Sequence, residues 1–232
     1  MDVNLFTAFV WFGAFLFSTT VHEAMHAFVA WKGGDPTAYL GGQVSLSPVP
    51  HIKREPIGML VVPLVTSLTQ GWAMGWASAP YDPRWASRHP QRAALMAAAG
   101  PAGNLVIAVA ALVALRVGLM EGWFIAPEHV SFESLVAAAN PRAGFAAILL
   151  SVLLVLNVFI GLFNLLPLPP LDGSAIVSVL LPDEYAERFR RLESNPATSM
   201  MGLLIAWKVF PLLTGSLFSI LLRLVHPHES YS

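Results

Sequence analysis

Two imidazoles and a carboxylate stand at fixed spacing in His22-Glu23-Ala24-Met25-His26. On a helix, side chains four apart project from one face, one turn apart. His22 and His26 then suit two corners of a tetrahedral zinc site, and Glu23 can reach a water on an open corner. Zinc brings the pKa of such a water towards neutrality, and a neighbouring carboxylate can take its proton and pass it on. The chemistry implied is metal-assisted hydrolysis.

A third ligand must come from elsewhere. The chain has no cysteine, so any metal must be held by His and carboxylate. Asp172 is the one acid between Glu133 and Asp183, and it follows Asn164-Leu165-Leu166-Pro167-Leu168-Pro169-Pro170-Leu171. Prolines this dense break a transmembrane helix, and broken backbone at membrane depth is tolerated only where protein or a water-filled cavity satisfies it. Two His plus Asp172 leave a fourth position open, as a catalytic zinc requires. Taken alone, Asp172 before Gly173 also reads as a turn or cap. Asn164, upstream of Asp172, has an amide that could hold a substrate carbonyl or steady an oxyanion. Asn104, in Gly100-Pro101-Ala102-Gly103-Asn104, reads instead as a buried amide with a structural partner, among small residues that let helices approach closely.

The elements that position these groups are apolar. Of 232 residues, 56% are hydrophobic and 12% charged, against about 25% charged in a soluble domain. Mean hydropathy is +0.63. This is the composition of a polytopic membrane protein, and a net charge of −1 gives no footing for nucleic acid. Five stretches lack charge or nearly so: Val3–Val21, Ile57–Tyr81, Ala93–Leu115, Ala143–Leu171 and Ser194–Leu222, the last broken by Lys208. Each is long enough to span a bilayer, or to enter and return. The expected fold is an all-α bundle of about four to six transmembrane or re-entrant helices, with a short β element after the first helix, where Thr37–Ser47 alternates weakly. An open strand edge there must sit at the interface or in a protein-lined cavity, and it could accept an extended peptide by strand addition. An ordinary interfacial loop is the other reading. One integral domain over 1–232 is the simplest partition, with a catalytic core over 3–181 and a C-terminal helix over 198–225. Met1–Val21 lacks a basic leader and a small-x-small cleavage site, so we expect it to be retained.

Charge orients the bundle. Asp82–Arg92 carries Arg84, Arg88, His89 and Arg92, which the positive-inside rule places in the cytoplasm. Asp172–Glu193 carries Arg188, Arg190 and Arg191 and is expected on the same side, with a capped surface helix starting at Pro182-Asp183-Glu184. Arg116–Arg142 encloses Glu121, Glu128, Glu133 and His129 and belongs outside. Trp72, Trp76, Tyr81 and Trp85 suggest an interfacial belt. The tail His226-Pro227-His228-Glu229 reads as a solvated end rather than a metal site. For His26 and Asp172 to share one ion, Ile57–Tyr81 must start and finish on the cytoplasmic side. It is expected to be re-entrant, bent at Pro63 or at Gly71/Gly75, or to lie in the interface.

Three motifs in order resemble the site-2 protease family of intramembrane zinc metalloproteases (peptidase family M50), in its small bacterial and archaeal branch without a PDZ domain. They are His22-Glu23-x-x-His26, Gly100-Pro101-x-x-Asn104, and Asn164-x-x-Pro167-x-x-Pro170-x-Asp172-Gly173. The resemblance implies that His22, His26 and Asp172 bind one zinc. It implies that Glu23 acts as general base and then acid, and that Asn164 orients the carbonyl. It also implies a transmembrane protein substrate that partly unwinds before cleavage, inside the bacterial cytoplasmic membrane, with the site near the cytoplasmic side. Two other functions compete. A CAAX-type membrane zinc protease would take a downstream Glu as third ligand, for which Glu184 and Glu187 lie on a polar segment. A metal-binding scaffold or transporter would need no Glu23 chemistry, and a transporter would show paired broken helices.

Overall fold

The computed structural model describes residues 4–182, 184–186, 189 and 195–227. Its elements run as follows. Helix α1 is Leu5–Lys32, α2 is Thr37–Leu40 and α3 is Pro48–Arg54. A π-helical turn, Ile57–Val61, leads into α4, Val62–Gln70. Then come α5, Pro83–Arg88, and α6, Pro90–Met120. Strands β1, Phe124–Ile125, and β2, Ala137–Ala138, pair antiparallel between α6 and α7. Helix α7 is Gly144–Asn164, α8 is Asp172–Ser178 and α9 is Pro196–Val225.

The first apolar run becomes α1 because its ends are punctuated. The Asn4 side chain accepts from Phe6 N at 3.0 Å and Thr7 N at 3.3 Å, which caps two N–H groups that the helix leaves free. At the other end the chain turns at Gly33-Gly34. Trp85 Nε1 donates to Gly33 O at 3.1 Å, and Arg92 Nη1 donates to the same carbonyl at 3.0 Å. Trp85 is therefore a buried peg against the end of α1, not part of an exposed aromatic belt, whereas Trp72, Trp76 and Tyr81 are exposed.

Among the described residues, four helices are long and apolar enough to cross a membrane: Leu5–Lys32, Pro90–Met120, Pro141–Asn164 and Pro196–Val225. The all-α polytopic architecture expected from composition is the one observed. In lipid there is little hydrophobic drive to bring helices together, so close approach of small side chains carries the packing. Helix α6 buries such a face: Ala97, Gly100, Gly103, Asn104, Ala108 and Ala111. Helices α1 and α7 pack against it. By contrast, only 11% of the apolar window of α9 is buried, so α9 lies on the bundle rather than within it. It is pinned near its C-terminal end, where Leu221, Leu222 and Val225 join Leu115, Phe124, Leu135 and Leu154 in one core.

Two expectations are corrected. The β element does not follow the first helix. Thr37–Leu40 is a helical turn, and the described strands lie between α6 and α7. Asp35 explains the difference: its carboxylate accepts from Thr37 N at 2.9 Å and from Thr37 Oγ1, and an Asx turn of this kind starts a helix rather than a strand. The tail does not begin as a solvated end either: His226 is buried and its Nε2 lies 2.8 Å from Leu135 O, while His228 and Glu229 lie outside the described residues. Of the surface helix expected from Pro182-Asp183-Glu184, the described Glu184, Tyr185, Ala186 and Phe189 are helical, and Ala186 N donates to Pro182 O at 2.9 Å. Asp183, Glu187, Arg188, Arg190 and Arg191 lie outside the described residues.

Ile57–Tyr81 reverses, as the parity of the crossings requires. The π turn and α4 together, Ile57–Gln70, rise roughly 20 Å, short of the ~30 Å hydrocarbon core. Gly71 ends α4 at φ 81°, a left-handed conformation that side chains disfavour. The chain then returns extended beside α4. Met74 N donates to Thr66 Oγ1 at 3.0 Å and Trp76 N to Gly58 O at 3.1 Å. Ala73 packs with Trp11, Ala14 and Phe15 of α1. Further along, Asp82 N donates to Asp35 Oδ2 at 2.7 Å. The returning segment thus follows α1 from Phe15 to its C-terminal end.

Candidate metal centre

Helical spacing does to His22 and His26 what it dictates. Their rings sit edge to face with centroids 4.5 Å apart, and the two Nε2 atoms approach to 2.9 Å. Both side chains are buried, and so is Glu23 between them. The nearest ligand atoms of His22, Glu23 and His26 all lie within 4.8 Å of one another.

Asp172 arrives from the far end of the chain. Helix α7 ends at Asn164, the proline-rich turn follows, and Asp172 opens α8. Gly173 packs so tightly on the carbonyls of Leu165 and Leu166 that a Cβ there would overlap them. This close turn swings the Asp172 carboxylate under the imidazoles. Oδ2 lies 3.2 Å from His22 Nε2, and Oδ1 lies 3.4 Å from His26 Nε2.

The other ring nitrogens determine what these contacts mean. His26 Nδ1 lies 2.7 Å from Met96 O, and a carbonyl only accepts, so Nδ1 carries the hydrogen. His22 Nδ1 lies 2.6 Å from Asn104 Oδ1. The Asn104 amide nitrogen is already spent on Ser18 O at 3.3 Å and Asn157 Oδ1 at 2.8 Å, so Oδ1 is the end that faces His22 and accepts from it. Each Nε2 of a neutral ring is then a bare lone pair. Two lone pairs and a carboxylate converge on one point, and buried Asp172 Oδ2 receives no hydrogen bond. Three acceptors without a donor repel one another unless a cation lies among them.

A zinc ion fits this donor set. Zn–N and Zn–O bonds of about 2.0–2.1 Å at tetrahedral angles hold their ligand atoms roughly 3.3 Å apart. The three separations here are 2.9, 3.2 and 3.4 Å. Hydrogen bonds from ligating imidazoles through their second nitrogen are the usual support for such sites. Gly100 roofs the pair: a Cβ there would lie 2.6 Å from His22 Nε2 and closer still to His26 Nε2.

The residues singled out in the sequence are not all brought together. His22, Glu23, His26 and Asp172 form one cluster. Asn164 ends α7, and its amide nitrogen donates to Ile160 O at 3.0 Å rather than to the cluster. Asn104 has a structural partner, as expected, but that partner is His22 itself. Ser18, Asn157 and the Met96 carbonyl did not stand out from sequence. For Asn157 a signal existed: it is one of two amides, with Asn164, in the uncharged run Ala143–Leu171, and polar groups at membrane depth are seldom idle. Nothing marks Ser18 or a backbone carbonyl.

The profile of peptidase family M50 matches residues 10–209. Two similar chains share the name "Putative zinc metalloprotease". YwhC of Bacillus subtilis is 32% identical over 209 residues, covering 88% of this chain and 85% of the relative. Rip2 of Mycobacterium tuberculosis is 30% identical over 205 residues, covering 88% of this chain and 68% of the relative. No solved structure matches significantly.

Proposed function

The chain belongs to peptidase family M50, and from that premise we propose that it is an intramembrane zinc endopeptidase, cutting a transmembrane protein in or near its membrane segment. One observation carries the reading: His22 Nε2, His26 Nε2 and the Asp172 carboxylate converge while both Nδ1 atoms are committed elsewhere. Zinc held by these three residues would supply a Lewis acid that polarises the scissile carbonyl and acidifies a water.

The remaining work falls to side chains. Glu23, buried between the two ligands, takes the water's proton and returns it to the departing amine. Burial excludes bulk water, so each charge acts more strongly than it would in solvent. Asn164 steadies the substrate carbonyl, which requires its amide to leave Ile160 O. A helical peptide bond is hydrogen-bonded and sterically shielded, so the substrate must extend before attack.

Four described helices long and apolar enough to cross a membrane support an integral membrane protein surrounded by lipid. We place it in a bacterial cytoplasmic membrane with the site near the cytoplasmic side. Exposed Arg84 and Arg88 support this, as does Arg92, which bonds Gly33 at the end of α1 that carries His26. The test is zinc analysis of the purified protein, together with cleavage of a reporter transmembrane substrate. Wild type should hold about one zinc and cleave, while His22→Ala should lose both. Equal zinc in both proteins would overturn the proposal.

A further inference from the structure

Behind His22 runs a line of buried polar groups across three helices. His22 Nδ1 donates to Asn104 Oδ1 at 2.6 Å. Asn104 Nδ2 donates to Asn157 Oδ1 at 2.8 Å and, over a longer 3.3 Å, to Ser18 O. Asn157 Nδ2 donates to Ser18 Oγ at 2.9 Å and to Leu153 O at 2.9 Å. Ser18, Asn104 and Asn157 are each 0% exposed. Every amide hydrogen in the line has an acceptor. A buried amide is costly in an apolar bundle where leucine packs freely, so two amides placed end to end call for a reason.

We propose that Asn157, backed by Ser18, is a positioning residue that sets which end of Asn104 faces His22 and so holds the His22 Nε2 lone pair towards the metal. An amide side chain can be turned end for end with little change of shape. Were Asn104 turned, its NH2 would meet His22 Nδ1. The ring would then carry its hydrogen on Nε2, and a protonated Nε2 cannot ligate. Asn157 Oδ1 blocks that arrangement, because it accepts and the turned Asn104 would offer it a second acceptor. Asn157 is itself held the right way round, because Leu153 O only accepts and claims its nitrogen. The direction of the whole line is thus fixed by a main-chain carbonyl of α7.

This inference rests on reading His22, His26 and Asp172 as zinc ligands, and the experiment separates the two. The full-length protein in detergent is compared as wild type, His22→Ala, Asn157→Thr and Asn157→Asp. Zinc affinity is measured by chelator competition, the visible spectrum is read after cobalt substitution, and melting is followed without metal. Asn157→Thr keeps a hydroxyl able to bond Leu153 O but is too short to reach Asn104. Asn157→Asp keeps the acceptor that Asn104 needs.

Asn157→Thr should bind zinc roughly 10–100-fold more weakly, the usual cost of removing a ligand's support, and its cobalt spectrum should shift. Asn157→Asp should stay within about threefold of wild type in affinity and keep the wild-type spectrum. A role confined to packing would lower the melting temperature of Asn157→Thr and leave the spectrum unmoved, which overturns the proposal. Asn157→Asp falling as far as Asn157→Thr overturns it too. If His22→Ala binds zinc like wild type, the ligand assignment fails first and this inference with it. If His22→Ala loses zinc while Asn157→Thr keeps wild-type affinity, only the positioning role is lost.

Discussion

His22 and Asn104 stand 82 positions apart in the chain and meet at 2.6 Å, the Nδ1–H of one donating to the Oδ1 of the other. That bond occupies Nδ1 and leaves the other ring nitrogen of a histidine on an apolar helix facing one direction, towards His26 and Asp172. It also ties α1 to α6 at the level of the candidate metal centre. Several outcomes depend on it and on its neighbours.

Asp172→Ala removes the one ligand that does not come from α1. Zinc affinity should fall by at least roughly 100-fold, because the ion keeps two imidazoles and solvent. Glu184→Gln should leave affinity unchanged. Metal analysis of the two purified variants checks this, and it separates the aspartate site from one built on a downstream glutamate.

Glu23→Gln keeps the shape of the side chain and loses the base. Cleavage of a reporter transmembrane substrate should drop by about 10²–10⁴-fold, the usual worth of a positioned proton carrier. Zinc content should match wild type. Retained cleavage would transfer the base to another residue.

Gly100→Ala adds one methyl group where Nε2 of both histidines already sits. The rings must swing away or α6 must move off α1. Zinc affinity should fall by about tenfold or more, because ligand direction is lost. Gly144→Ala, where a Cβ meets nothing within 4 Å, is the control and should bind zinc normally. Chelator competition measures both.

Asp35 clamps the end of α1 to the returning segment, whose Asp82 N donates to it at 2.7 Å. Burial alone would raise its carboxyl, but hydrogen bonds from Thr37 Oγ1, Asp82 N and Thr37 N outweigh it and hold the group below its ordinary 3.8. A depressed folded pKa means that the stabilisation is complete above the unfolded value and lost as pH falls through the folded one. Asp35→Asn keeps one acceptor and loses the second, at a cost of about 1.5–3 kcal/mol near neutrality. The gap in melting temperature between wild type and variant should be full at pH 7 and shrink below pH 3.8. A gap independent of pH would show that the charge contributes nothing.

The re-entrant path of Ile57–Tyr81 predicts which side its far end occupies. The chain has no cysteine, so single replacements report cleanly. Ser87→Cys, at an exposed position in α5, should react with an impermeant thiol reagent only from the cytoplasmic face. Glu128→Cys, exposed between β1 and β2, should react only from the other. Labelling of Ser87→Cys only from the periplasmic face would mean that Ile57–Gln70 crosses after all.

Much of this was legible in the residue string. Helix periodicity alone puts His22 and His26 on one face, because the spacing is local and needs no tertiary information. Lack of charge over five runs marks the membrane elements, since lipid admits few alternatives. The reversal of Ile57–Tyr81 followed from parity, although only the structure located the turn at Gly71. Thr37–Ser47 misled because its weak alternation was outweighed by a side-chain contact, Asp35 to Thr37, that periodicity does not register. Trp85 misled because a tryptophan near an arginine-rich loop looks like an interfacial anchor until a carbonyl, Gly33 O, is seen to hold its N–H.

Residue order alone carried the membrane class and the pairing of His22 with His26 on one helix face, because each depends on composition or on spacing within a single turn. The approach of Asp172 to that pair, the orientation of the imidazoles by Asn104 and Met96, and the line through Asn157 to Leu153 were decided only by the tertiary structure. The physical reason is range. Those contacts join α1, α6, α7 and α8 across tens of residues, and their hydrogen-bond directions depend on which carbonyl each amide meets, which residue order does not encode locally.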